Sequence, residues 1–283
     1  MRNQRLAITG AVFSTLLAIS VGGCTPPKDT NQKGKKEAIT SSPTKPATGA
    51  LQRADAALRV GDFQTVITAA DEQLKASNTA KSKAQALYYK GRAIEGRSKS
   101  SPATTVSDLS QAKSLYEQAL AAGAYDPDAS IIRASLANVA YFQEDFTAAR
   151  GHWMAAQKTL PDKESRAWAL YRIGLCEQRL GRFGEADKTF AQVQRSYPGT
   201  EQARRAREHQ GTTSFRVQIA TFSRADTADK LLEQLKTKGL RGVKQADPAG
   251  RLVVVMTGFA NYQAAKVARD QVAGDFPDAM ILP

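Results

Sequence analysis

Few residues in this chain have both the type and the spacing to do chemistry. Thiol chemistry is confined to Cys24 and Cys176, and imidazole chemistry to His152 and His209, in a chain of 283 residues. Two cysteines cannot build a disulfide-rich scaffold or a four-thiolate zinc site. The histidines stand far apart with no ligand-like spacing around them, which counts against a histidine metal site or a catalytic triad. Cys176 shares a helical face with Ile173 and Leu180, so it is expected as a buried free thiol, and His152, beside Trp153, as structural. The chemistry left is recognition by amide, hydroxyl and guanidinium groups rather than catalysis. No cofactor and no metal is expected.

The elements that position these groups follow from composition and pattern. With 40 Lys+Arg against 27 Asp+Glu the formal net charge is +13, while 42% apolar and 24% charged residues are ordinary for a folded chain. Wholesale disorder is excluded, and the length suits two domains of about 100–200 residues each.

The first residues read as an address. Met1 to Arg5 is a short cationic start, and Leu6 to Val21 is apolar apart from small polar residues, the pattern of a secretory signal. The run ends Val21-Gly22-Gly23-Cys24, which resembles the bacterial lipobox: an aliphatic residue, two small residues and an obligatory cysteine. The resemblance implies that residues 1–23 are a lipoprotein signal peptide and that Cys24 carries lipid, enough for stable membrane anchoring. Thr25 in place of Asp implies the outer membrane, facing the periplasm. Residues 24–48 are rich in Pro, Lys, Thr and Ser with almost no large apolar side chain, so they read as a flexible tether. Its charge of +3 suits anionic lipid or wall polymer, or solubility alone.

Residues 49–211 carry an internal repeat. Small residues at Ala54, Gly91, Ala137 and Gly174 are spaced by 37, 46 and 37, and Phe63, Phe146 and Phe183 stand nine residues after three of them. Ala149 and Ala186 stand twelve after, Trp153 and Phe190 four further on, and Pro161 and Pro198 at twenty-four. The longer middle spacing reflects an insert from Ser98 to Thr105, whose removal brings Ala112 and Tyr116 into register. The pattern resembles the tetratricopeptide repeat (TPR), most clearly from Ala167 to Pro198. The resemblance implies four stacked helical hairpins, with Glu201 to Gln210 as a polar capping helix, and a concave face that binds a protein partner. Tyr88, Tyr89, Tyr141 and Trp168 are expected to pack rather than to contact that partner.

The last 72 residues read as a small α+β domain. Phe215 to Ala220 alternates, with Phe215, Val217 and Ile219 on one face and Arg216, Gln218 and Ala220 on the other. Ala228, Leu231, Leu232 and Leu235 mark a helix stopped by Gly239; Val243 to Ala246 and Leu252 to Met256 are strands about a turn at 247–250. Ala265, Ala268 and Val272 mark a second helix, and Ala279 to Leu282 a fourth strand. The order β-α-β-β-α-β leaves one face of a four-stranded antiparallel sheet open. RNA-recognition motifs use such a face but need aromatics on the central strands, where this chain has Arg216, Gln218, Arg251, Val253 and Val255. The domain's own charge of +3 gives no nucleic-acid footprint, and no nucleic-acid partner is expected.

Phe215-Arg216-Val217-Gln218-Ile219-Ala220-Thr221-Phe222, with Leu252-Val253-Val254-Val255-Met256-Thr257-Gly258-Phe259 after it, resembles the SPOR domain over residues 212–283. The resemblance implies binding to peptidoglycan glycan strands stripped of their stem peptides. It places sheet contacts at Gln218 and Thr221, at Arg251 and Val253, and at Ile281 on the fourth strand. Three departures bear on affinity: no aromatic near Arg251, Val253 where Arg is frequent, and Thr257-Gly258 where Gly-Pro is common.

These readings together describe an all-α TPR array followed by an α+β SPOR domain in a non-enzymatic cell-envelope lipoprotein, which binds glycan with one half and a protein partner with the other. The alternative is a TPR scaffold for outer-membrane protein assembly or a trans-envelope complex, with the C-terminal domain secondary. Catalysis is not expected, because glycosidic cleavage needs a pair of carboxylates in a cleft and no stretch is left over for such a module.

Overall fold

The computed structural model describes residues 48–77, 79–98, 105–124 and 128–283. The signal segment, Cys24 and the tether up to residue 47 lie outside the described residues, as does most of the insert, residues 99–104. Helices α1 (Gly49–Val60) and α2 (Phe63–Ala76), α3 (Ala80–Ser98) and α4 (Thr105–Ala121), α5 (Asp128–Phe142) and α6 (Phe146–Gln157), and α7 (Lys163–Arg179) and α8 (Phe183–Ser196) form successive hairpins, closed by α9 (Glu201–His209).

Short polar side chains start these helices by accepting from backbone N–H groups that have no partner within the helix. Thr48, Asp62, Asp145, Asp162 and Thr200 each do so, with distances from 2.7 Å (Asp162 from Ser165 N) to 3.4 Å (Thr48 from Leu51 N). The small residues of the repeat take part in the packing. A Cβ built on Gly91 would lie 2.6 Å from the Tyr116 ring, and one built on Gly174 2.6 Å from the Phe190 ring. Each ring rests directly on the backbone of the facing helix and is fully buried. Trp153 is buried at the same register position, sixteen residues after Ala137. Helix α7, between α6, α8 and α9, is buried almost throughout from Ser165 to Gln178, which explains why its amphipathic pattern is weak. Tyr88, Tyr89 and Trp168 are core residues, and Tyr141 packs against that core half-buried.

The C-terminal elements are β1 (Phe215–Phe222), α10 (Ala225–Thr237), β2 (Val243–Ala246), β3 (Leu252–Phe259), α11 (Tyr262–Val272) and β4 (Met280–Leu282), in an antiparallel sheet of order β2-β3-β1-β4. Phe215, Val217 and Ile219 pack with Ala228, Leu231, Leu235, Ala265, Ala268 and Val272 of the two helices.

Simple alternation fails at two points, one on β3 between Met256 and Phe259 and one on β1. Gln218 pairs with Val255 and Ala220 with Val254, so Ile219 is a bulge, one residue too many on β1. The parity of the strand flips there. Ala220, expected beside Arg216 and Gln218, instead packs against the helix-side core, opposite the fully buried Val254.

The ring-on-glycine packing makes opposite predictions for two helical glycines. Replacing Gly by Ala gains about 1 kcal/mol of helix propensity, but overpacking a filled core costs about 1–3 kcal/mol. Gly174→Ala is expected to destabilise the protein in urea unfolding. Gly184→Ala, where a Cβ meets nothing within 4 Å, is expected to stabilise it by up to about 1 kcal/mol.

Candidate functional site

The bulge at Ile219 decides which side chains share the uncovered face of the sheet. Paired residues of an antiparallel ladder stand on the same face. Gln218 pairs with Val255 on one side and Met280 on the other, and Thr221 with Val253. Val243 and Gln245 of β2 pair in turn with Val255 and Val253. The open face therefore presents Gln218, Thr221, Val253, Val243, Gln245 and Met280, with Val255 buried among them. Arg216, paired with Leu282, stands exposed at its edge. Without the bulge Thr221 would face the helices.

Three of the five residues expected to contact a ligand, Gln218, Thr221 and Val253, share this face, and Arg251 stands in the turn just before β3. Gln218 is half-buried, Thr221 exposed, and Val253 and Arg251 half-buried. Ile281 lies on the opposite face. It pairs with Val217, which is fully buried against the helices, and packs on that core. The fourth-strand residue on the open face is Met280. Ala279 and Ile281 both point into the core, so a period of two counted from Ala279 would have found it. The run Ala-Met-Ile-Leu is apolar at every position and hides that period. Gln245 was missed for a different reason, since β2 is exposed along its whole length and shows no alternation in burial.

Arg251 is not a loose cation. Its Nε and an Nη donate to Asp247 Oδ2 at 2.7 and 2.6 Å, and its backbone N donates to Asp247 Oδ1 at 2.8 Å. Asp247 Oδ1 also accepts from Ala249 N at 2.9 Å, and the turn is closed by Asp247 N donating to Arg251 O at 2.8 Å. Burial would raise the Asp247 carboxyl, but the Arg251 peptide N–H and guanidinium outweigh it and hold the group below its ordinary value of 3.8. The lock fixes one edge of the guanidinium and orients the remaining donors.

Lys244, on the other face of β2, reaches Asp229 of α10 at 2.5 Å. The glutamines and hydroxyl of the open face, with an oriented cation in the turn before β3, make a donor-rich set suited to a neutral hydroxylated polymer.

Elsewhere the reactive side chains are quiet. Cys176 is fully buried among apolar neighbours, and burial pushes its thiol up to about 12, so it is not a thiolate at neutral pH. His152 is half-buried and held below its ordinary value by that burial, reinforced by Lys113. His209 joins Gln178 through Nδ1 at 3.0 Å and stacks near Phe190 and Tyr171. Among the described residues no three His, Cys, Asp or Glu side chains are grouped to hold a metal ion, and no helix is long and apolar enough to cross a membrane.

The turn lock has a defined pH response. A carboxyl whose folded value is depressed contributes stability above its unfolded value and loses it as pH falls through the folded one. The amide resonances of Ala249 and Arg251 are therefore expected to stay constant from neutrality to about pH 4, and to shift together below the ordinary Asp range in an NMR titration. Asp247→Asn should abolish that step.

Comparison with known proteins accords with this geometry. Residues 211–283 match the SPOR domain family model. A solved structure described as YrrB, a TPR protein with an unusual peptide-binding site, is 20% identical, with 68% of this chain and 91% of that one covered. The two superpose loosely, at a TM-score of 0.42. No curated protein matches the chain. The stacked helical hairpins α1 to α8 thus precede a C-terminal domain that matches the SPOR family, and SPOR domains are peptidoglycan-binding modules of cell-envelope proteins.

Proposed function

We propose that this chain is a lipid-anchored envelope protein that docks on denuded glycan through the open sheet face and holds a protein partner on its helical array. The match of residues 211–283 to the SPOR family carries the reading, and the exposed Thr221 and half-buried Gln218 on one uncovered face, with the oriented Arg251 in the turn before β3, support it chemically. Gln218 and Thr221 act as hydrogen-bonding groups towards sugar hydroxyls. Arg251 presents its outer guanidinium edge, while Val253 and Met280 supply apolar contact to pyranose faces in place of an aromatic platform. The role is binding, not catalysis. Cys24 and the tether let the two recognition surfaces work at a distance from the membrane, facing the periplasm from the outer membrane, and the activity belongs to wall remodelling at division.

Sedimentation of the purified protein with isolated sacculi tests the glycan part. Binding is expected only after amidase has removed the stem peptides. A hydrogen bond contributes roughly 0.5–1.5 kcal/mol net, so Gln218→Ala and Thr221→Ala should each weaken binding by about 2- to 13-fold. Ile281→Val, behind the sheet, should leave it unchanged. Equal pelleting with treated and untreated sacculi would refute the denuded-glycan reading.

The anchor is tested separately. Metabolic labelling with palmitate is expected to mark the wild-type protein and not Cys24→Ser, and washing with high salt should release only the variant from membranes.

A further inference from the structure

The sequence reads as two modules in series, but the contacts between them are specific. The turns of the last two hairpins both face the SPOR domain. Arg179, at the end of α7, lies with its guanidinium carbon 3.9 Å from the centre of the Tyr262 ring at the start of α11. Phe146, which opens α6, meets the same ring edge-on at 5.5 Å, and Tyr262 in turn meets Phe215 of β1 at 6.1 Å. Phe183, which opens α8, stacks near Phe215 at 5.8 Å. A Cβ built on Gly181, in the α7–α8 turn, would lie 2.3 Å from the Ala260 carbonyl oxygen, so the β3–α11 turn sits directly on that glycine.

The repeat pattern explains part of this. In the first hairpin the equivalent phenylalanine, Phe63, is covered by the next repeat at Gly96. Phe183 opens the second helix of the last hairpin, and the SPOR domain's Phe215 packs against it where a further repeat would stand.

An ion pair completes the contact. Lys266 of α11 reaches Glu144 in the α5–α6 turn, and that hydrogen bond raises the ammonium above its ordinary value. Glu144 has φ 62°, the one non-glycine residue with positive φ among the described residues. The corresponding turn positions of the first and fourth hairpins are Gly61 and Gly181, at φ 80° and 79°. Glutamate thus stands where the fold favours glycine, and its side chain crosses to the other domain.

We infer that the SPOR domain is latched to the helical array, so that the two move as one body, through Tyr262 clasped by Arg179 and Phe146, the Lys266–Glu144 pair, and the seating of Ala260 on Gly181. The latch uses α11, the β3–α11 turn and the start of β1. Gln218, Thr221 and Val253 stand on the opposite face of the sheet. A ligand on that face is then held at a fixed distance and direction from whatever the array binds. The latch itself does not depend on the identity of either ligand.

Distance measurement between spin labels tests it. The full chain carrying Cys24→Ser, Val60→Cys and Val243→Cys places labels on two exposed positions, one in each half, while the buried Cys176 stays unlabelled. A single narrow distance distribution is expected. Arg179→Ala with Tyr262→Ala should at least double its width with helical circular dichroism unchanged. Glu144→Lys and Lys266→Glu should each broaden it, and the two combined should restore the narrow form, a rescue that a purely structural role for either side chain does not produce. A broad distribution in the parent, or a width unchanged by the Arg179/Tyr262 pair of substitutions, would overturn the latch.

Discussion

Two hairpins of the array, the second and the fourth, depend on a ring resting on backbone. Tyr116 and Phe190 lie against Gly91 and Gly174 with no room for a methyl group between, so interhelical spacing is set by the thickness of an aromatic ring and not by interdigitated side chains. That close approach turns paired helices into a stack with one continuous core. The stack then offers its turns at a regular repeat, and the two last turns are what the C-terminal domain packs against. Were the spacing to change, the positions of Phe146, Gly181 and Phe183 relative to one another would change with it, and so would the seat of the SPOR domain.

A second constraint acts inside the sheet. Two helices cover one face, which consumes one half of each strand's side chains, and the other half is available for recognition. The bulge at Ile219 adds one residue to β1 and thereby puts both Ile219 and Ala220 on the buried side while returning Thr221 to the open one. A hydroxyl that regular pleating would have spent on packing is delivered to the ligand face, three residues from Gln218. The Asp247–Arg251 lock does for the end of β3 what the bulge does for β1: it converts a flexible polar side chain into a directed one.

Much of this was legible beforehand because the relevant signals are periodic. The 37-residue spacing of small residues, the phenylalanine nine positions on, and the order of alternating and helical stretches follow directly from repeated packing demands. What escaped has a common cause. The face of Ala220 depends on a bulge, which breaks the period that alternation relies on. Ile281 was placed by family correspondence, and the fourth strand offers only apolar side chains, so nothing in their types distinguishes the core side from the open side. The domain contact involves Arg179, Glu144, Tyr262 and Lys266, which lie up to 122 residues apart and carry no mutual pattern. Residues that meet only through tertiary folding leave no trace in local periodicity.

Glu144 shows how misleading an average can be. The chain's own repeats advise glycine at that turn, and a designer idealising them would make the exchange to remove a left-handed residue that costs about 1–2 kcal/mol. The idealised array would be better folded as an isolated solenoid and would have given up one hold on its neighbour. Departure from consensus here marks where a repeat stopped being interchangeable with its siblings and acquired an address in the molecule.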